Sequence, residues 1–311
     1  MQDRPSGVRP GTTTEAAPPL GRYYEVGGRR LLLHCSGSGG PSVVFLPGGG
    51  TAGLDYWNVQ ERAAELTTSV VYDRAGTGWS DRVELPRTLA EVTDELRELL
   101  QTAGVPAPYL LVGHSLGGLY ARHYAQRFPD EVSGLLLLDP AHEDYNAYMP
   151  QQLVDQWESW DPDQALPDEL PDELIQLYRG LLAQEMADWP EEIREPLIER
   201  HVSPEWMRVG IHEAKNVDQL YDEVRHAGPM PDVPLIVLTT MDIDAFKKAV
   251  SGSTSESLLR EEIDGKRRLY TAFAESVPGG ENRLVDDAGH VTIHWRRPDA
   301  VLQAIQDLLG R

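Results

Sequence analysis

Eight short apolar runs, separated by polar and amphipathic segments, constrain the fold of this chain more than any other feature. From the third run onward they are almost unbroken apolar, which is typical of parallel strands covered by helices on both faces. The pattern predicts an α/β protein with a mostly parallel central sheet and antiparallel strands at its N-terminal edge. The runs are RYYEV, RRLLLHC, SVVFLP, SVVYD, YLLVG, VSGLLLLD, PLIVLTT and NRLVD.

The segment between SVVYD and YLLVG predicts a helix. Thr88 and Glu91 form a capping-box pattern at its start, and Gly104 follows its end. Its apolar positions recur at helical spacing, as expected for a helix that packs on a sheet. They are Leu89, Val92, Leu96, Leu99 and Leu100.

The alternation of runs stops after Asp139 and resumes near Pro234, which indicates an insertion. This interval of roughly 90 residues has helical patterns and no convincing strand. It contains four of the seven tryptophans of the chain. We therefore expect a helical cap over the C-terminal edge of the sheet, inserted after the sixth strand, and a disordered leader rich in Pro, Gly and Thr. The predicted division is a leader at 1–20, a core at 21–142 and 232–311, and a cap at 143–231.

Composition excludes several classes of partner. The chain has 50 Asp and Glu against 28 Lys and Arg, for a formal net charge of −22. This charge repels phosphate backbones and anionic bilayers, so we expect no nucleic-acid and no membrane partner. Cys35 is the single cysteine, which rules out an intramolecular disulfide, and we expect it to be buried. We predict a soluble, cytoplasmic protein that is a monomer or a homodimer.

The sequence GHSLGG places Ser115 in a Gly-x-Ser-x-Gly pattern, between Gly113 and Gly117. The pattern follows the apolar run YLLVG and opens an amphipathic segment, LGGLYARHYAQRF. A serine at a sharp turn from strand to helix occupies strained backbone, and small neighbours let the adjacent segments approach closely. This context predicts that Ser115 is a nucleophile.

A nucleophilic serine needs a base for its proton and donors for the oxyanion that develops. The glycine loop of VFLPGGGTAG follows a strand, and we assign the donors to the N–H groups of Gly49 and Leu116. His290, in the loop after NRLVD, is the predicted base. His294, four residues further on and beside Trp295, is the competitor and is better explained by packing. A zinc site on the two histidines has no evident third ligand.

The order of these motifs resembles the α/β-hydrolase superfamily with a serine nucleophile, across residues 22 to 310. The matching features are the glycine loop, DRAGTGWSD, GHSLGG, a cap and a late Gly-His. The resemblance implies an α/β-hydrolase fold and assigns Asp73, Gly76, Gly78 and Ser80 to loop geometry. Many relatives carry His-Gly where this chain has Pro47–Gly48.

The acid that orients the histidine should lie at the C-terminal end of a strand. We place it at Asp139, which ends VSGLLLLD and matches the branch of the family whose acid follows the sixth strand. Asp242 and Asp244 in PLIVLTTMDID are the alternatives, since the family more often carries its acid after the seventh strand. Thr240 and Ile243 depart from the usual Gly-x-x-Asp setting there. A helix-capping role is the competing explanation for Asp139 itself.

Together these features predict a serine hydrolase that cleaves an ester, lactone or thioester through an acyl-enzyme on Ser115, with no metal or organic cofactor. The tryptophans of the cap, with Tyr56 and Trp57 after the glycine loop, indicate a small-molecule substrate with an apolar or aromatic acyl group. The fold also hosts acyltransferases, carbon–carbon hydrolases, lyases and perhydrolases. A ligand receptor that retains the three residues is an alternative of another class. Epoxide hydrolases and dehalogenases are disfavoured because these relatives place Asp at the position of Ser115.

Overall fold

A computed structural model describes residues 17–161, 171–252 and 254–310. Of the predicted leader, residues 1–16 lie outside the described part, and residues 17–20 form neither helix nor strand. In the described ranges, no helix is both long enough and apolar enough to span a membrane.

An eight-stranded sheet forms the centre of the molecule, in the order β1-β2-β4-β3-β5-β6-β7-β8. Strand β2 runs antiparallel to both β1 and β4, and all pairings from β4 to β8 are parallel. Each of the eight predicted runs forms one strand, so the predicted mostly parallel sheet with an antiparallel N-terminal edge is confirmed. The strands are β1 (Arg22–Val26), β2 (Arg29–Ser36), β3 (Ser42–Leu46), β4 (Ser69–Tyr72), β5 (Tyr109–His114), β6 (Val132–Leu138), β7 (Leu235–Thr240) and β8 (Glu281–Val285).

Helices cover both faces of the sheet, which explains why the central strands lack polar alternation. Successive side chains of a strand point to opposite faces, so Val44 and Leu46 of β3 join one buried cluster while Val43 and Phe45 join the other. The helices outside the insertion are α1 (Trp57–Ala64), α2 (Leu89–Thr102), α3 (Leu116–Arg127), α10 (Ala245–Val250), α11 (Glu256–Glu275), α12 (Ile293–Arg296) and α13 (Pro298–Leu308).

The helix predicted between SVVYD and YLLVG is α2. The Thr88 hydroxyl accepts a hydrogen bond from the Glu91 N–H at 3.1 Å, and the Glu91 carboxylate accepts one from the Thr88 N–H at 2.8 Å. These two bonds satisfy orphan donors of the first turn. All five predicted apolar positions of α2 are buried against the sheet.

An inserted helical region follows β6, as predicted. Between β6 and β7 the described residues form helices and no strand. The helices of this region, which we call the cap, are α4 (Tyr145–Tyr148), α5 (Gln151–Glu158), α6 (Asp172–Glu185), α7 (Glu191–His201), α8 (Pro204–Glu213) and α9 (Val217–His226).

The prediction that Cys35 is buried is wrong. Its side chain is exposed on β2. The fully buried part of this strand ends at Leu33, and the residues after it are half-buried or exposed.

Candidate active site

Ser115 occupies a sharp turn between β5 and α3. Its φ and ψ are 51° and −120°, a backbone conformation that side chains other than hydrogen adopt only under strain. Positions 113 and 117 require glycine because there is no space for a side chain. A Cβ at 113 would lie 2.6 Å from the Gly117 carbonyl oxygen, and a Cβ at 117 would lie 2.0 Å from the Leu46 carbonyl oxygen. The turn therefore holds the serine at the carboxyl edge of the sheet, in strained backbone between a strand and a helix, as the sequence predicts.

We expect Gly117→Ala to destabilise the protein by about 3 kcal/mol or more, since β3 and the loop after it would have to move away from the new methyl group. Urea unfolding followed by circular dichroism measures this effect. Gly180→Ala in α6 is the matched control because nothing lies within 4 Å of its Cβ position. We expect this control to gain about 0.5–1 kcal/mol from its better helix propensity. An unchanged unfolding midpoint for Gly117→Ala would contradict the steric argument.

Ser115, His290 and Asp139 form a continuous hydrogen-bonded chain. Ser115 Oγ lies 3.0 Å from His290 Nε2, and His290 Nδ1 lies 2.6 Å from Asp139 Oδ2. A carboxylate can only accept, so Nδ1 carries the proton and Nε2 is free to accept from the serine hydroxyl. The three side chains come from the ends of β5 and β6 and from the loop after β8, which meet at one edge because the strands are parallel.

Lys266 of α11 is a partner of Asp139 that sequence reasoning missed. Its Nζ lies 2.6 Å from Asp139 Oδ2 and 3.3 Å from Thr240 Oγ1, and the Thr240 N–H donates to Asp139 Oδ1 at 3.2 Å. Burial raises the pKa of the Asp139 carboxyl, but the Lys266 charge and the hydrogen bonds from His290 and Lys266 outweigh it and hold this pKa well below the usual range. Asp139 itself has φ of 42°, so its backbone is also in a strained region. The signal in the sequence was a lysine in the buried stripe of an amphipathic helix, where Leu259, Ile263, Tyr270 and Phe273 recur.

The two alternative carboxylates, Asp242 and Asp244, bind groups other than His290. Asp244 caps α10 by accepting the Lys247 N–H at 2.7 Å, and it accepts the Thr292 hydroxyl at 3.0 Å. Asp242 accepts the N–H of Ile243 at 2.8 Å. Neither reaches His290, so the carboxylate of the hydrogen-bonded chain is the one that follows β6.

His294 has a packing role, as the sequence indicated. Its ring is fully buried and stacks on Tyr56, with centroids 4.3 Å apart. Burial, followed by the neighbouring histidines, lowers the pKa of His294 well below its usual value, which keeps the ring neutral. Within the described residues no group of three or more His, Cys, Asp and Glu side chains could hold a metal ion.

The loop after β3 leaves the N–H of Gly49 without a partner in the described part of the chain. The Cβ position of Gly49 lies 3.6 Å from Leu116 Cδ2, which places it beside the first turn of α3. The N–H of Leu116 is likewise unused, because the first residues of a helix have no intrahelical acceptor. The other N–H groups of the loop are taken: Gly48 donates to Tyr56 Oη (3.1 Å), Gly50 to Glu213 Oε2 (2.8 Å) and Thr51 to the Gly48 carbonyl (3.3 Å).

Arg74 holds the carbonyl groups of this loop. Its two terminal nitrogens donate to the carbonyl oxygens of Pro47 at 2.6 Å and Gly48 at 2.8 Å. Burial lowers the pKa of Arg74, but the facing Glu213 carboxylate outweighs burial and the net pKa is raised, so the guanidinium is charged. Arg74 lies within DRAGTGWSD, whose Asp73 accepts the N–H groups of Gly53 and Trp79, in keeping with a role in loop geometry.

His114, the residue before Ser115, links the glycine loop to the His290 loop. Its Nε2 donates to the His290 carbonyl at 2.8 Å, so its Nδ1 is the acceptor for the Tyr56 hydroxyl at 2.6 Å. Burial, followed by the electrostatic effect of the neighbouring His290, lowers the pKa of His114 to about 3, which keeps this ring neutral at physiological pH. Tyr56 thus supports the site from within the core, where its ring is fully buried.

A cavity of about 750 Å³ opens onto Ser115 and His290. Two of the four cap tryptophans, Trp157 and Trp206, line it, whereas Trp160 is exposed and Trp189 packs edge-to-face on Trp57 with centroids 5.3 Å apart. The expectation that Tyr56 and Trp57 help to form the substrate pocket is not met, since both are taken up by packing. Most of the lining is apolar or aromatic, including Tyr178, Leu182, Ile211, Phe246, Leu259 and Ile263.

Comparison with known proteins gives matches over almost the whole chain. Residues 43–304 match the alpha/beta hydrolase family. The uncharacterized protein YbdG of Bacillus subtilis (strain 168) is 29% identical over 136 residues, which are 43% of this chain and 40% of YbdG. The chain matches less than half the length of curated relatives such as YbdG and YqjL.

Solved structures share the fold at low sequence identity. The epoxide hydrolase CorEH superposes with a TM-score of 0.62 and 17% identity, covering 93% of this chain and 98% of that chain. The enol-lactonase from Burkholderia xenovorans LB400 gives a TM-score of 0.58 and 21% identity, with 93% and 100% coverage. Because these neighbours catalyse different reactions, the likeness shows the fold alone. The reaction has to be inferred from the residues of the site. The family match over 43–304, the eight-stranded sheet and the helical insertion after β6 agree, and this chain belongs to the alpha/beta hydrolase family.

Proposed function

We propose that the protein is a serine hydrolase that cleaves a carboxylic ester-type bond, an ester, lactone or thioester, through an acyl-enzyme on Ser115. The observation that carries this proposal is the hydrogen-bonded chain from Ser115 Oγ to His290 to Asp139 at a cavity of about 750 Å³. A serine hydroxyl is a weak nucleophile unless a base accepts its proton, and His290 is such a base.

In the first step, Ser115 Oγ attacks the substrate carbonyl carbon while His290 Nε2 takes the hydroxyl proton. The imidazolium that results is stabilised by the Asp139 carboxylate on Nδ1. Charge develops on the former carbonyl oxygen, and the unused N–H groups of Gly49 and Leu116 are the donors we assign to it. These donors stabilise the transition state effectively because they are oriented before the reaction begins.

In the second step, collapse of the tetrahedral intermediate breaks the bond to the leaving group, which takes the proton from His290. The acyl group is then esterified to Ser115. A water molecule attacks the acyl carbon with His290 again as base, and a second collapse releases the acid and restores the serine hydroxyl. These steps conserve atoms and protons with the substrate and water as the sole reactants.

The lining of the cavity supports a substrate with an apolar or aromatic acyl group. Trp206, Leu182 and Phe246 offer apolar area, and transfer of such a group from water is favourable by roughly 25 cal/mol per Å². A charged acyl group would lose hydration against this apolar part of the lining. The structural likeness to an enol-lactonase supports keeping cyclic esters among the candidates.

Labelling with an aryl-ester organophosphonate tests the nucleophile directly. We expect a single covalent adduct by intact-protein mass spectrometry, located by peptide mapping to Ser115 and absent in Ser115→Ala. Esters and lactones with acyl groups of increasing length, aryl esters and charged esters then compete with the probe, and we expect apolar acyl groups to protect best. Sustained turnover of a protecting ester favours an enzyme over a ligand receptor. An adduct elsewhere, or best protection by charged acyl groups, contradicts the respective part of the proposal.

A further inference from the structure

The last residue of α8, Glu213, reaches from the cap into the core beneath the glycine loop. Its side chain is 4% exposed. One carboxylate oxygen accepts the Gly50 N–H at 2.8 Å and Arg74 Nη2 at 3.0 Å, and the other accepts Arg74 Nε at 2.9 Å. A cap residue therefore holds both a backbone group of the loop and the guanidinium that binds the carbonyls of the loop.

The direction of the Gly49 N–H depends on this arrangement. The N–H of Gly49 and the carbonyl of Gly48 belong to one planar trans peptide group, so they point in opposite directions and rotate together. Arg74 Nη2 holds that Gly48 carbonyl at 2.8 Å, together with the Thr51 hydroxyl at 3.0 Å and the Thr51 N–H at 3.3 Å. Fixing the carbonyl therefore also fixes the Gly49 N–H on the opposite side of this peptide group. Ser115 is a neighbour of the loop, with its Cβ 3.4 Å from the Cβ position of Gly48. Glu213 orients the guanidinium through two charge-assisted bonds, the strongest class available here.

A second contact fixes the distance between cap and loop. Gly50 has φ of 68°, and its Cβ position would lie 2.8 Å from the Cα of Gly210 on α8. The Cβ position of Gly210 would in turn lie 3.1 Å from the Cα of Gly50. The backbones of the loop and of α8 come this close because both positions are glycine. The loop therefore packs directly on α8.

We propose that Glu213 is a positioning residue for the oxyanion donor Gly49, and that α8 is a permanent part of the catalytic apparatus. This inference rests on the proposed function, since an oxyanion donor has meaning only for acyl transfer at Ser115. Lifting α8 would leave the buried Arg74 charge without its partner, which is strongly unfavourable. The cap therefore completes the site besides shaping the substrate cavity.

The test measures hydrolysis of an aryl ester by Glu213→Gln and Gly210→Ala, with Glu205→Gln as the matched control. Glu205 lies on the same helix and makes an exposed ion pair with Arg82 at 2.9 Å. For Glu213→Gln we expect kcat to fall about 10- to 100-fold, because displacing an oxyanion donor costs somewhat less than removing it. We expect KM to change less than about threefold, and the control to match the wild type.

Affinity for a boronic acid, which forms a tetrahedral adduct on the serine, separates positioning from a general structural effect. We expect its inhibition constant to rise in parallel with the loss in kcat in both variants, with a smaller effect in Gly210→Ala. Gly210→Ala keeps the ion pair between Glu213 and Arg74, and it tests the inference by itself if Glu213→Gln does not fold. Folded variants with wild-type kcat and boronate affinity, or with a change confined to KM, would overturn the inference. A wild-type protein without phosphonate labelling and ester turnover would instead overturn the proposed function.

Discussion

Ser115→Ala should lower kcat for ester hydrolysis by about 10⁵- to 10⁶-fold while the protein remains folded, which is the scale expected for loss of an activated serine. Removal of Oγ deletes the atom that forms the acyl-enzyme and leaves the backbone of the turn in place. Steady-state kinetics on an aryl ester and unfolding midpoints are the two measurements. Ser159→Ala is the matched control because this hydroxyl is exposed at the end of α5 and bonds the Gln156 carbonyl.

The double variant with His290→Ala sharpens this prediction. Serine and histidine that act as a unit give non-additive losses, so the double variant should be about as slow as either single variant. Losses that multiply would mean that the 3.0 Å contact between Ser115 and His290 is not used in the reaction. Residual turnover near that of the wild type in Ser115→Ala would remove this serine from the mechanism.

Asp139→Asn has the second largest expected effect, a loss of about 10⁴-fold in kcat. The asparagine amide does not hold the proton on His290 Nδ1, and it offers no charge to stabilise the imidazolium. Asp242→Asn is the matched control, since its carboxylate serves only the neighbouring Ile243 N–H among the described contacts. Activity that survives Asp139→Asn and disappears in Asp244→Asn would move the acid to the end of β7.

The same variant should also be less stable, because it leaves Lys266 buried without its carboxylate. Breaking such a pair costs about 3–5 kcal/mol, and the double variant with Lys266→Met should recover part of it without recovering activity. The pKa of Asp139 is lowered in the folded state. Its charge therefore contributes stability that is complete above about pH 4, the ordinary aspartate value, and is lost only as pH falls through the lowered pKa. Urea unfolding at pH 7 and pH 4 should show the deficit at both.

Much of the core could be predicted because its signals are local. Each strand of the sheet is an apolar run of a few residues, and the start of α2 needs only Thr88 and Glu91. The turn at Ser115 needs small residues two positions away on either side, Gly113 and Gly117. Such requirements are met within one or two turns of backbone, so they are visible in the sequence itself.

The acid that bonds His290 could not be identified from such local signals. Asp139, Asp242 and Asp244 all follow strands that end at the same edge of the sheet, so strand position alone could not separate them. The geometry of the loops after β6 and β7 separates them: the positive φ of Asp139 aims its carboxylate at His290, while Asp244 turns back to cap α10.

From the amino-acid order alone one obtains the sheet, its helical insertion and the serine turn, since hydrophobic periodicity and glycine placement act over short stretches of chain. Folding in three dimensions selected Asp139 as the carboxylate beside His290 and brought Lys266 and Glu213 to the site. These last two meet partners 127 and 163 residues away in the chain, and such contacts arise from how helices pack on the sheet. A charged residue in a buried helical stripe indicates that it has a partner of opposite charge. Which residue that partner is depends on the tertiary packing.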